Sequence, residues 1–324
     1  MSVRVAVLGL GEAGSEIASD LVEAGAVVQG YDPVRPAPAG VQEHRSEAEA
    51  VTGADVVLSV NSAADATTAL RNGAPAARQA VWADLNTGSA GLKRDLAAAL
   101  AEASETAVFA DVALMTPVPG KGLRTPMLAS GPGARRLAEI LTPFGAGIEI
   151  VDGEPGEAAT RKLLRSVFFK GLAAAVVEAL AAARAAGLEP WLRDNIADEL
   201  ARADGATVER LVTGSVEHAV RRSHEMAAAS ALLVDLGVEP RIARASHDLL
   251  AELAAVGRAA VGSVDAGRAA FGRADAGRAD AGRADAGRAD AGRADAGRND
   301  ASRNDASRND ATHARTTHAK ERTA

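Results

Sequence analysis

The residues Gly9-Leu10-Gly11-Glu12-Ala13-Gly14 fit the pattern G-x-G-x-x-G. In a strand-to-helix turn the first glycine allows the tight bend, the second lets the backbone approach a pyrophosphate, and the third lets helix and strand pack closely. The helix that follows directs free N–H groups and a partial positive charge at phosphates. Asp32 comes 18 residues after Gly14, at the end of an apolar run. A carboxylate there can accept hydrogen bonds from both ribose hydroxyls. It would repel a 2′-phosphate, so NAD is expected over NADP, with Arg35 pulling the other way. The alternative is a glycine turn that only packs; strand, helix and acid in register argue against it.

A second group of residues could move a proton. Lys162, Ser166 and Lys170 are four apart, which keeps them near one face of a helix. In a cleft poor in water the charged form of a lysine is disfavoured, so it can accept a proton from an alcohol or return one. Two solvated lysines are the competing reading. Further on, His218, Arg221, Arg222 and Glu225 recur at three and four, with His224 among them. That spacing lines one helix face and suits an acidic substrate, or else marks a solvated face laced with ion pairs. Nothing in the spacing points to a metal. Thr87 and Ser89 precede a helical stretch and could cap it.

The elements that must carry these residues are legible as runs. Apolar strand-like runs at Val3–Leu8, Ala26–Tyr31, Asp55–Val60, Ala80–Leu85 and Thr106–Ala110 alternate with helical stretches at Glu12–Ala24, Ala63–Arg71 and Ala90–Ala103. Met127–Ser130, Ala134–Leu141 and Gly147–Val151 follow. Such alternation implies βαβ units and a mostly parallel sheet. After Gly153-Glu154-Pro155-Gly156 the pattern changes to one long helix over 157–186, then to helices broken near 188–190, 203–205 and 236–240. The expected fold class is therefore α/β: a Rossmann-type dinucleotide-binding domain over 1–153, a long interdomain helix, and an all-α domain that together with it spans 154–263. Residues 264–324 repeat every five, with five copies of Ala-Asp-Ala-Gly-Arg over 274–298. With almost no large apolar residue to bury, that tail is expected to be disordered.

These motifs in this order resemble the β-hydroxyacid dehydrogenases, the group of 6-phosphogluconate and 3-hydroxyisobutyrate dehydrogenases, over about residues 3–255. The resemblance rests on Gly9–Gly14 with Asp32, Asp84-Leu85-Asn86-Thr87, Asp111 through Gly120, Lys162-Leu163-Leu164-Arg165-Ser166, and His218 through Met226. It implies hydride transfer between a nicotinamide and the CH–OH carbon of a small hydroxy acid, followed in some members by loss of CO2. It makes Lys162 the acid/base, with Ser166 in place of the family asparagine and Lys170 as the rival. It sets Val60 and Asn61 against the cofactor, and Asn86 and Thr87 near nicotinamide and substrate. The substrate loop matches at Pro117, Val118 and Gly120, but Pro119 and Lys121 replace a serine and a glycine. Pro119 has neither N–H nor hydroxyl, so Lys121 or Arg124 is expected to hold the substrate anion. His224-Glu225 fall where the family has a Lys-Asp pair near the substrate, and Arg222, in the basic cluster beside them, is expected to touch an acidic substrate. Family members pair through helical domains, so a homodimer or homotetramer is expected. Other readings are a carbonyl or imine reductase, against which the retained Lys162 argues, and a dinucleotide-binding regulator without turnover.

Composition narrows the partners. The 324 residues carry a net charge of −7. Without the tail, which is net +2, the body is net −9. An acidic body argues against nucleic acid or an anionic membrane as partner. The cations at the expected cleft, Lys121, Arg124, Lys162, Lys170, Arg221 and Arg222, suit a small anionic substrate. The chain has no cysteine, which removes disulfides, thiolate metal sites and cysteine nucleophiles. No apolar run is read as approaching the ~18–20 residues of a membrane helix, and the opening apolar stretch is too short for a signal peptide. A cytoplasmic protein is expected, with an aliphatic core because aromatics are 2% of the residues.

Overall fold

A computed structural model describes residues 2–257. The expectation of a disordered repeat tail over 264–324 falls outside the described residues. Strands β1 (Arg4–Leu8), β2 (Val27–Tyr31), β3 (Gln42–Glu43), β4 (Val56–Ser59), β5 (Val81–Asp84), β6 (Val108–Leu114), β7 (Met127–Ser130) and β8 (Ile148–Ile150) form one sheet, ordered β3-β2-β1-β4-β5-β6-β7-β8. All neighbours pair in parallel except β6 and β7. The chain reverses its direction of travel across the sheet between β1 and β4, and open α/β sheets bind ligands at such a switch point.

Both faces are covered, so the central strands are apolar throughout rather than alternating. Val5, Val7, Val56 and Leu58 point to the face packed by α1 (Glu12–Glu23) and α5 (Ala134–Leu141). Ala6, Leu8, Val57 and Trp82 point to the other, under α2 (Glu47–Val51), α3 (Ala66–Gly73) and α4 (Ala90–Ala103). The core is chiefly Ala, Val, Leu and Ile, as expected, yet Trp82 is one of its largest fully buried side chains.

The helical part begins with α6 (Glu157–Ala185), followed by α7 (Glu189–Ala201), α8 (Gly205–Glu217), α9 (Ala219–Asp235) and α10 (241–257). Ala182 of α6, Leu233 of α9 and Ala243 of α10 make a small core of their own. Glu178 of α6 accepts the N–H groups of Ile242 and Ala243 at 2.8 Å each, capping α10 from another element.

Three expectations are corrected. β3 and α2 lie between β2 and β4 where no element is read from the sequence; β3 is two residues long, too short to show a period. The helical stretch across His218 is two helices, because His218 stands in a turn between α8 and α9. Only Arg221, Arg222, His224 and Glu225 of that cluster share a helix. Finally, α6 is long and apolar enough, by length and composition, to cross a membrane. Its apolar residues are interrupted by isolated charges such as Lys170 and Glu178, so no unbroken run marks it. Few of its residues are buried, and Leu164, Val167, Phe168 and Val177 are 67%, 75%, 57% and 69% accessible.

Candidate active site

The glycine-rich turn joins β1 to α1 at the switch point. Gly9 takes a φ of 94°, and a Cβ on it would come within 2.7 Å of the Val60 carbonyl oxygen after β4. A Cβ on Gly14 would collide with the Gly9 carbonyl oxygen. These two glycines are therefore required by the fold itself. Gly11 is different: a Cβ there would meet no atom within 4 Å. No contact among the described residues demands glycine at that position, and the space leaves room for a group to approach the backbone. Gly11 is also the N-cap of α1 and supplies no side-chain cap, so the first-turn N–H groups lack one. Glu12 is exposed, Ala13 partly buried and Leu10 fully buried in the core.

Beside the turn opens a cleft of about 470 Å³ lined by Gly9, Gly11, Asp32, Arg35, Val60 and Asn61 among others. Asp32 is already well engaged. Its Oδ1 accepts the N–H groups of Val34 and Arg35 at 2.8 and 2.9 Å, and its Oδ2 accepts that of Leu10 at 2.8 Å. Burial pushes this carboxyl up, but the N–H groups of Val34, Arg35 and Leu10, with the Arg35 charge, outweigh it and hold the group below the usual range. Three of its roughly four acceptor positions are thus used by the chain. The Asp32 that faces the cleft has one position to offer a ribose, rather than the two that a clamp on both hydroxyls needs.

From the cleft a continuous polar chain runs under the sheet ends. The Asn86 amide nitrogen lies 2.9 Å from Asn61 Oδ1, 3.1 Å from Ser59 Oγ and 2.6 Å from Asp84 Oδ1. Asp84 Oδ2 is 2.6 Å from Lys93 Nζ, and Asp111 Oδ1 is 3.2 Å from the same ammonium. Lys93 is 1% exposed, and both carboxylates are fully buried. The other oxygen of Asp111 accepts the N–H groups of Gly156 and Ala159 at 3.0 Å each. Asp111 therefore caps α6, whose own N-cap residue, Gly156, has no side chain and takes a φ of 111°. Ser130 Oγ accepts the Ala158 N–H and completes the seat.

Lys162 stands one turn into α6, on the face of the buried Ala158 and Ala159. Lys162 and Ser166 are partly buried, whereas the residues between and around them are exposed. Burial chiefly, and then the charges of Lys93 and Lys170, push the Lys162 amine below the usual lysine range; Asp111 partly opposes them. Lys170 is exposed. Arg165 stacks on the Phe169 ring with its guanidinium carbon 4.2 Å from the centroid.

The other expected residues are placed less centrally. Thr87 is exposed and caps nothing; Ser89 is the N-cap of α4 and accepts the Leu92 N–H at 3.1 Å. The loop with Pro117, Gly120 and Lys121 is exposed and tied to α1: Gly120 N–H donates to Glu16 at 3.0 Å and Leu123 N–H to Asp20 at 2.8 Å. Lys121 Nζ lies 3.0 Å from Thr116 Oγ1. Arg222 reaches Ser215 at 2.9 Å and packs over Gly214, which makes it a brace of the α8–α9 corner. Arg221 pairs with Glu225, and His224 is exposed beside them. The polar contacts of the loop and of α9 among the described residues do not join either to Lys162.

Sequence reasoning missed Lys93 and Ser59. A signal for Lys93 existed: with Leu96 and Leu100 it makes an i, i+3, i+7 stripe in α4, and a lysine on such a stripe points into the core.

Residues 4–120 match the NAD binding domain of 6-phosphogluconate dehydrogenase. Residues 183–253 match a domain of unknown function, DUF1932. An uncharacterized 28.5 kDa protein of Methanothermus fervidus is 24% identical over 257 residues, covering 78% of this chain and 99% of that one. A conserved protein of unknown function, solved and described as similar to 3-hydroxyacid dehydrogenases, is 29% identical with a TM-score of 0.51, covering 79% of this chain and 99% of that one. A reductive aminase from Aspergillus terreus, solved with NADPH and ethyl levulinate, shares the fold at a TM-score of 0.63 and 18% identity, over 80% of this chain and 95% of that one.

Proposed function

We infer that this chain, an NAD-binding domain of the 6-phosphogluconate dehydrogenase type joined to a helical domain of unassigned function, is an oxidoreductase acting on the CH–OH group of a small hydroxy acid. The observation that carries this reading is Lys162: a partly buried amine with a lowered pKa, on a helix seated over the strand ends by Asp111. The glycine turn and the Asp32 cleft would hold the dinucleotide, and the open space at Gly11 fits its phosphates. A bound nicotinamide would accept or supply the hydride. Lys162 takes the alcohol proton at Nζ in oxidation and returns it in reduction. Ser166, one turn further on the same face, can accept or donate a hydrogen bond to the substrate hydroxyl. Asp32 favours NAD, through repulsion of a 2′-phosphate.

Incubating the purified protein with NAD+ or NADP+ and a panel of hydroxy acids, while following reduced-nicotinamide absorbance, tests the reading. Turnover with a hydroxy acid, better with NAD+, is the expected result. Cofactor binding without turnover across the panel would support the regulator instead, and activity only on ketones with amines would support the reductase reading.

The exposed apolar side of α6 suits a second copy of the chain, which would cover Leu164, Val167, Phe168 and Val177. Light scattering in detergent-free buffer should give at least twice the monomer mass of 32.8 kDa. A monomer, or a protein that stays in solution only with detergent, would overturn that assembly.

A further inference from the structure

Lys93 has no place in the chemistry above, yet it is a lysine 1% exposed between two buried carboxylates. A lone ion pair of this depth is poor evidence of stability, because desolvation offsets the attraction. The arrangement here is more specific than a pair. Lys93 Nζ also donates to the Asp84 carbonyl oxygen at 2.8 Å. Asp111 uses one oxygen on Lys93 and the other on the first turn of α6. Asp84 uses its second oxygen on Asn86, which leads to the cleft through Asn61. The ammonium thus lies one carboxylate away from the helix that carries Lys162.

We propose that Lys93 is a positioning residue for the reaction: it holds Asp111 against the α6 N-terminus and places a fixed positive charge near Lys162, so that Lys162 works as a neutral amine. The inference rests on the role given to Lys162 above. The charges that act on Lys162 are those of Lys93 from α4, Lys170 two turns along α6, and Asp111 from β6, the last with opposite sign. From β7 the seat receives only the Ser130 hydroxyl. α7 meets α6 at its far end, through Arg184 and Glu189. Without Lys93 the remaining near charge of opposite sign, Asp111, favours the ammonium form of Lys162, so its titration moves up.

The test reads that titration directly, without substrate. Trace acetylation at a series of pH values, followed by peptide mapping, gives the pH at which each lysine becomes reactive; exposed Lys121 serves as reference. Lys93→Met alone leaves two facing carboxylates buried, so the variant to use is Lys93→Met with Asp84→Asn, which removes one charge of each sign. Lys162 is expected to titrate about one pH unit higher while Lys121 stays put, and the rising limb of kcat/KM for alcohol oxidation should follow it. If the pair does not fold, Lys93→Gln with Asp84→Asn keeps polar groups at both positions and carries the same expectation. A folded variant in which Lys162 titrates as before overturns the proposal. A shifted titration in a protein that turns over no hydroxy acid supports the hold of Lys93 on Lys162 and defeats the function assigned above.

Discussion

On the proposed function, replacing Lys162 by Met should lower kcat/KM for hydroxy-acid oxidation by about 10²–10⁴-fold, the usual worth of a positioned acid/base. Cofactor affinity should hardly change, because the cleft lined by Gly11 and Asp32 does not include Lys162. Stability should not fall either. The Lys162 pKa is lowered in the fold, so the unfolded chain binds the proton more readily and the lysine opposes folding below its unfolded pKa. Removing it relieves that penalty, and the unfolding midpoint at neutral pH should stay level or rise. In the wild type, oxidation should gain as pH rises through the lowered pKa, and carbonyl reduction should lose over the same range. Stopped-flow or steady-state rates with fluorescence titration of the dinucleotide check all of this. Undiminished turnover in Lys162→Met would remove the proposed acid/base.

Asp111→Ala should be the most destabilising single change near the site, by about 3–5 kcal/mol, as when one partner of a buried charge cluster is lost. Asp111 serves two masters: the Lys93 ammonium and the N–H groups of Gly156 and Ala159. Its removal leaves a buried cation with Asp84 alone and two helix-end donors unsatisfied. Asp111→Asn keeps one acceptor for the helix and should be milder. Urea unfolding monitored by circular dichroism separates the two variants. A loss below about 1 kcal/mol for Asp111→Ala, the range of an exposed pair, would show that the cluster does not anchor α6.

The framework was legible because its signals are local. The strand at Arg4–Leu8, the glycine turn and the helix starting at Glu12 follow one another within twenty residues. Helices Ala90–Ala103 and Ala134–Leu141 come out with their expected bounds. The grouping of Gly9, Gly11, Asp32, Val60 and Asn61 around one cleft was readable for the same reason. What sequence reasoning could not see depends on contacts made across the fold. Asp84, Lys93 and Asp111 come from three elements, and only the pairing of Asp84 with Asp111 across β5 and β6 brings them together. Asp32 looked free for a ribose because its three backbone donors are set by how the turn closes. That the loop of Gly120 and Lys121 binds α1, and that Arg222 braces a helix corner, also depends on such contacts.

Two helices in this protein begin on carboxylates that they do not own. Asp111 in β6 seats α6, and Glu178 in α6 seats α10. Glu178 offers its carboxylate to α10 only once α6 is helical around it. The two seats therefore form a relay, from sheet to α6 to α10, in the order of the chain. What holds α10 is thus carried by what Asp111 holds, so a loosening where β6 meets α6 passes along α6 to its far end.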